Sequence, residues 1–238
     1  MISDETPTLD RQRWEKILDL LIERRVGTKI LMETRVDDIL RDEDIMWKYQ
    51  KALIDHIYVG VEATSQETLD IFKKDIKVEQ SKKALDLINK YNIVSETSFV
   101  LGMPDDTVEN IRSTVELAKY YNPDLAFFLA IAPWPYSEIY PMLKPYIAEW
   151  DYSKYNLVEP VVKPTAMTLD EVREELGRAS RVFYMDKLMN IEKLSREKQE
   201  FMLKVTKIIA NNSYLREHMK GEMPAVMKKV MEKLATMA

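Results

Sequence analysis

The sequence predicts an α/β fold: a partial (β/α) barrel with parallel strands, followed by a carboxyl-terminal α-helical region. Short apolar runs that end in polar residues alternate with amphipathic helical patterns through the first 140 positions. The apolar runs begin about 30 residues apart, the length of a strand, a helix and two loops, so right-handed crossovers build a parallel sheet. Beyond Pro164 the pattern becomes purely helical.

Trp14, Ile17, Leu18, Leu21 and Ile22 repeat at helical spacing after Thr8, with Gly27 expected as the left-handed stop. Ile30 to Glu33 reads as a strand, followed by a helix through Ile45, Met46, Tyr49 and Leu53. The next strand is expected over Ile57 to Glu62, β-branched and aromatic in character. A small helix around Leu69, Ile71 and Phe72 leads to a longer one carrying Val78, Ala84, Leu85 and Ile88. Ile93 to Leu101 returns as strand and closes at Gly102-Met103-Pro104. Asp106 with Glu109 resembles a capping box for the helix bearing Val108, Ile111, Val115 and Ala118, which Asn122-Pro123 terminates. Leu125 to Ala132 is the last strand.

Six of the ten prolines fall between Pro133 and Pro164, together with seven Trp and Tyr residues, which predicts an irregular linker packed on the barrel. Thr168 and Glu171 then form a capping box for a helix with Val182, Phe183, Leu188 and Met189. Further helices are expected around Phe201, Val205, Ile208 and Ile209, and around Met227, Val230, Met231 and Leu234. The domains expected are a barrel over 1–140, the linker over 141–165 and a helical extension over 166–238.

Composition excludes several functions. Forty acidic against 35 basic residues give a net charge of −5, so no general attraction to nucleic acid or anionic lipid is expected. No apolar run approaches the roughly 20 residues of a membrane span, and the amino terminus has no basic-then-apolar leader, so a cytoplasmic protein is expected. With no cysteine and only His56 and His218, no His/Cys metal site can be assembled within these residues. No Gly-x-Ser-x-Gly elbow, phosphate-binding Gly-x-x-x-x-Gly-Lys or strand-end lysine suggests a nucleophile.

Ligands in parallel α/β folds bind beyond the strands' carboxyl ends. The polar groups there are Ser3-Asp4-Glu5, Glu33-Thr34-Arg35, Glu62-Ala63-Thr64, Ser98 with Gly102, and the segment from Pro133 to Glu138. Asp4, Glu5, Glu33 and Glu62 suit an ammonium or ribose hydroxyls, and Arg35 suits a carboxylate, demands that an amino-acid nucleoside meets together. The same Glu33, Arg35 and Glu62 also suit an internal ion-pair network between strands.

Ser3-Asp4-Glu5, Thr34-Arg35-Val36-Asp37, Val59-Gly60-Val61-Glu62-Ala63 and Phe99-Val100-Leu101-Gly102-Met103-Pro104 resemble the later strands of a radical S-adenosylmethionine barrel. Ala132-Pro133-Trp134-Pro135, the run from Trp150 to Asn156, Lys163-Pro164 and Phe183-Tyr184-Met185 narrow the likeness. It is to the cobalamin-binding class, and there to the magnesium-protoporphyrin IX monomethyl ester oxidative cyclases. That resemblance implies S-adenosylmethionine as cofactor, with a [4Fe-4S] cluster and cobalamin in the complete enzyme. It places Asp4 and Glu5 near the methionine ammonium, Glu62 and Ser98 near the ribose or methionine, Gly102 near the adenine, and Arg35 near the methionine carboxylate or Glu62.

The family's three-cysteine loop follows its first barrel strand, whereas this sequence opens at what looks like the end of the second. Asp75 and Tyr136 stand where relatives often have glycine. Two expectations follow: the carboxyl-terminal part of a radical enzyme, completed by a cluster- and cobalamin-binding polypeptide, or a non-catalytic ligand- or protein-binding remnant. Both expect a sheet edge open to a partner or to self-association.

Overall fold

A computed structural model describes residues 1–61 and 78–211. It contains α1 (Arg11–Glu23), β1 (Ile30–Thr34), α2 (Val36–Arg41), α3 (Met46–Lys51), β2 (Ile54–Val59), α4 (Val78–Lys90), β3 (Val94–Leu101), α5 (Val108–Tyr121), β4 (Leu125–Ala130), α6 (Tyr140–Leu143), α7 (Leu169–Met189) and α8 (Arg196–Asn211). The strands form one sheet in the order β1-β2-β3-β4, parallel as the strand-helix alternation requires. Glu62, the helix expected at Leu69 to Phe72, Asp75, His218 and the helix expected around Met227 lie outside the described residues. No helix among the described residues is long and apolar enough to cross a membrane.

The chain divides into two compact units, one of Met1–Val100 with Tyr120–Phe127, the other of Leu101–Lys119 with the described residues from Phe128 onward. In the first, α1 buries Trp14 and Leu18, and the sheet buries Met32, Ile57, Val59 and Phe99 at no more than 1% exposure, which makes this the core. Trp14 meets Tyr49 edge-on at 5.7 Å, and Phe99 stacks on Tyr121 at 6.5 Å.

Several boundaries differ from the sequence reading, each for a local reason. Asp10 caps α1 by accepting from Arg13 N, and the left-handed stop is Arg25 at φ 51° rather than Gly27. Leu53, Asn92 and Asn122 take the same left-handed role after α3, α4 and α5. Asparagine tolerates that conformation, whereas Leu53 and Arg25 carry a cost of about 1 kcal/mol that the surrounding fold offsets. The left-handed Leu53 also starts β2 early, at Ile54, with Leu53 O accepting from Ile30 N. The helix expected through Ile45 and Leu53 is broken into α2, a 3-10 turn over Glu43–Ile45, and α3.

The break centres on a buried ion cluster. Arg41 donates to Asp38 at 2.7 Å, to Asp42 at 2.8 Å and to the carbonyl of Thr8 at 2.8 Å. Tyr49 donates its phenol to the other Asp42 oxygen at 2.7 Å, and burial together with that carboxylate pushes the phenol pKa well up. Thr8, itself fully buried, donates to Asp38 at 2.6 Å and lies 2.6 Å from the Thr34 hydroxyl at the end of β1. Arg11 adds a fork onto Asp44. The segment before α1 is thereby fastened to the carboxyl end of β1, and Ile2 N donates to Leu31 O along that strand's outer edge.

In the second unit, β3 ends at Gly102, whose φ of +86° suits only glycine. Asp106 does not cap α5. It turns back to accept from Gly102 N at 2.7 Å and Met103 N at 2.9 Å, while Thr107 caps the helix by accepting from Asn110 N. Thr165 holds the same turn through Pro104 O, and Val172 of α7 packs 3.4 Å from where a Gly102 Cβ would stand. The Thr168–Glu171 capping box forms as expected, and Arg112 of α5 forks onto the buried Glu175 of α7. Between β4 and α7 the proline-rich stretch is ordered by an antiparallel bridge between Ile147 and Val162 and by Ala130 N donating to Leu157 O.

Replacing Asp42 by Ala strips an acceptor from Arg41 and Tyr49 at once. Urea unfolding is expected to show a loss of about 3 kcal/mol, the scale of a broken buried pair. Burial pushes the Asp106 carboxyl up, and its two backbone donors offset only part of that shift. A carboxyl raised in the folded state favours folding in acid, and that contribution is lost as the pH rises through its folded-state value. The stability of the native chain relative to Asp106→Asn is therefore expected to fall between about pH 3 and pH 7 in urea titrations. Asp106→Ala, which strands two buried N–H groups, is expected to cost about 1–3 kcal/mol at either pH.

Candidate functional site

Register and alternation give the sheet two unlike faces. In β1, β2 and β3 the residues paired side by side are Glu33, Tyr58 and Glu96, with Leu31, His56 and Val94 forming the row before them. Side chains two apart share a face, so Glu33, His56, Tyr58, Glu96 and Ser98 all lie on one side. The opposite side carries Met32, Ile57 and Val59, fully buried under the helices. A parallel sheet covered on both faces reads as continuous apolar strands. Here one face is polar and half-buried, as expected of a surface that meets solvent or a ligand.

Two contacts on this face run diagonally and in the same sense. His56 Nε2 lies 2.5 Å from Glu96 Oε2, and Tyr58 Oη lies 2.6 Å from Ser98 Oγ. Each joins a β2 residue to the β3 residue two places beyond its register partner. The result is a strip of carboxylate, imidazole, phenol and hydroxyl rising toward the strands' carboxyl ends. Two carboxylates and one imidazole make the strip acidic, suited to a cationic or N–H-bearing group.

Of the residues proposed from sequence, Glu33 and Ser98 sit on this strip, Ser98 at 3% exposure. Asp4 turns toward α1, where it accepts from Thr6 N and pairs with Arg13 at 3.1 Å. Glu5 is exposed. Arg35 forks onto Asp37 at 2.9 and 3.0 Å. Partial burial opposes charge on Asp37, yet the Arg35 guanidinium holds its carboxyl below the usual range. Gly102 belongs to the second unit, and both its N–H and that of Met103 are committed to Asp106, so a ligand there meets carbonyls and side chains rather than these donors. Glu62 lies outside the described residues.

His56, Tyr58 and Glu96 lie within strands, so a reading of strand ends does not reach them. The signal was the period-2 recurrence of polar residues at 56 and 58, and again at 96 and 98. Thiolates for an iron-sulfur cluster are absent from all 238 residues, so these residues do not fit a [4Fe-4S] centre.

Residues 1–118 match the model of the Radical SAM superfamily. The chain is 35% identical over 187 residues to the anaerobic magnesium-protoporphyrin IX monomethyl ester cyclase of Rubrivivax gelatinosus, covering 79% of this chain and 34% of that protein. It is 34% identical over 191 residues to the cyclase of the same name from Cereibacter sphaeroides, covering 79% and 31%. It thus spans about a third of the length of these relatives. Among solved structures it resembles TsrM of Kitasatospora setae, a radical S-adenosylmethionine methyltransferase with cobalamin and a [4Fe-4S] cluster bound. That likeness has a TM-score of 0.52 at 16% identity, covers 72% of this chain and 36% of that one, and speaks for the fold. Sheet order, polar strand ends and sequence likeness agree, and the chain belongs to the radical S-adenosylmethionine superfamily.

Proposed function

We propose that these residues form the S-adenosylmethionine-cradling part of a radical enzyme of the magnesium-protoporphyrin IX monomethyl ester oxidative cyclase type. The observation that carries the reading is the acidic strip of Glu33, His56, Tyr58, Glu96 and Ser98 on one face of a parallel sheet. A sulfonium and an ammonium are the cations such a strip favours, and ribose hydroxyls suit the Tyr58–Ser98 pair. Asp4, Glu5, Arg35, Glu62 and Gly102 are the further groups we assign to cofactor binding, on the family resemblance.

The cluster thiolates and the cobalamin site come, on this reading, from polypeptide outside these 238 residues. A partner that supplies them engages this chain as part of one enzyme. The total lack of cysteine favours a second reading, a ligand-binding remnant of the same fold that performs no radical chemistry. Co-purification with a cluster-bearing polypeptide, followed by iron analysis and deoxyadenosine formation, separates the two.

Calorimetry tests the shared core of both readings. S-adenosylmethionine is expected to bind the chain, and Glu62→Gln and Tyr58→Phe are each expected to weaken it about tenfold, the scale of one charge-assisted or buried hydrogen bond. Unchanged affinity in Glu62→Gln removes that residue from the site, and no binding by the unaltered chain overturns the cofactor assignment.

A further inference from the structure

The two carboxylates of the acidic strip differ in their state. Glu33 is half-buried and makes no hydrogen bond or ion pair among the described residues. Glu96 is already held, with His56 Nε2 at 2.5 Å from its Oε2 and the two side chains sheltered at 19% and 13% exposure. An imidazole nitrogen does not come that close lone pair to lone pair, so Nε2 carries its hydrogen toward the carboxylate. A second proton, on Nδ1, turns the ring into a cation and the contact into an ion pair.

The charged and titratable groups that share this face with His56 are Glu96 from β3, Glu33 from β1 and Tyr58 from its own strand. Leu31 and Val94, its register partners on either side, carry no charge. The imidazole therefore sets the charge of the strip. Two carboxylates with a neutral ring leave it doubly negative, and one added proton halves that charge. An imidazolium and a ligand cation compete for Glu96 as like charges, on a sheltered face where water and salt screen them less than on an open surface.

We propose that His56 is a resident counter-ion for Glu96 that couples cation binding to its own deprotonation: a cation settles on the strip as the His56 proton leaves to solvent. The inference rests on the reading of the strip as a cofactor site and adds the regulation of that site. Below the histidine range the imidazolium satisfies Glu96 and opposes a second cation; above it the carboxylate is uncompensated and the ligand takes that place. A neutral nucleoside brings no charge and does not drive the proton off. The same device thus separates a sulfonium from the thioether that remains once the charge is lost. His56 acts through Glu96 and is a specificity-determining residue, not a catalytic one.

Calorimetry on the 238-residue chain tests the coupling with two probes, 5′-dimethylsulfonioadenosine, whose charge does not titrate, and neutral 5′-methylthioadenosine. Between about pH 5.5 and about pH 8 the sulfonium is expected to bind roughly tenfold more tightly, while the thioether shows no such rise. In buffers of different ionisation enthalpy, sulfonium binding by the native chain is expected to release a proton fraction near pH 6 and none near pH 8. His56→Gln keeps an N–H donor for Glu96 but cannot ionise. It is expected to bind the sulfonium with one affinity throughout and to release no proton, whereas His218→Gln, at the other histidine, behaves as the native chain. Circular dichroism checks the fold of each variant, and the proton release of the native chain depends on neither. A native affinity for the sulfonium that ignores pH, or a pH response shared by the thioether or kept in His56→Gln, overturns the coupling and leaves the cofactor reading standing. Failure to bind the sulfonium at any pH also overturns the coupling, and S-adenosylmethionine calorimetry then decides the cofactor reading alone.

Discussion

Arg41 is the hinge of the first unit's architecture, because it neutralises two carboxylates that the fold has taken out of water. Asp42 is fully buried and Asp38 nearly so. Either carboxylate buried without its guanidinium would cost several kcal/mol, more than most single contacts return. Burial and the Asp42 carboxylate act in opposite directions on the Arg41 guanidinium, and the hydrogen bond to Asp42 leads, raising its pKa. Satisfying this cluster dictates geometry elsewhere. The helix must break near Asp42 so that Tyr49 can reach back to it, and Thr8 must sit between Asp38 and Thr34. The carboxyl end of β1 and the segment bearing Asp4 and Glu5 are fixed by a structural demand before any ligand is considered.

The sheet shows how polar residues divide between structure and site. Ser95 and Thr97 of β3 are as polar as Ser98, yet they face the helices. Asp124 accepts from Ser95 N and Oγ, and the Thr97 hydroxyl donates to Val59 O while lying 3.3 Å from Val61 N. Their hydroxyls stitch the strand to its surroundings and are fully spent in doing so. Ser98 lies on the other side, where its neighbour is the Tyr58 phenol. Orientation, set by a period of two, separates the hydroxyls that serve the core from the one on the polar face.

Much of this was legible in the sequence, and the exceptions share a cause. Apolar runs located β1, β3 and β4, and Thr168 with Glu171 announced α7, because burial and capping are local and leave a local pattern. Gly27 and Asp106 misled because the chemistry that would use them was taken elsewhere: Arg25 adopts the left-handed turn first, and Asp106 closes the strand-end turn instead of a helix. The Asp38–Arg41–Asp42 cluster and the His56–Glu96 contact were not readable at all. Both depend on register and on a tertiary approach between residues that, taken singly, look like an ordinary charged surface.

Stability and chemistry are separable in this chain. Domains that depend on a metal fold only when the metal is bound, because its ligation energy is their folding energy. Here the core closes on Trp14, Leu18, Ile57 and Phe99, the ion cluster closes its rim, and Arg112 with Glu175 ties α5 to α7 in the second unit. None of these contacts calls on a thiolate. A fold so assembled keeps its acidic strip whether or not an iron-sulfur centre is near, so the affinity for a sulfonium nucleoside that we propose rests on these residues alone. Radical chemistry requires the cluster, whereas the proposed recognition of the cofactor calls only on the strip. The strip therefore belongs equally to an active enzyme and to a binding remnant, and only the source of thiolates distinguishes them.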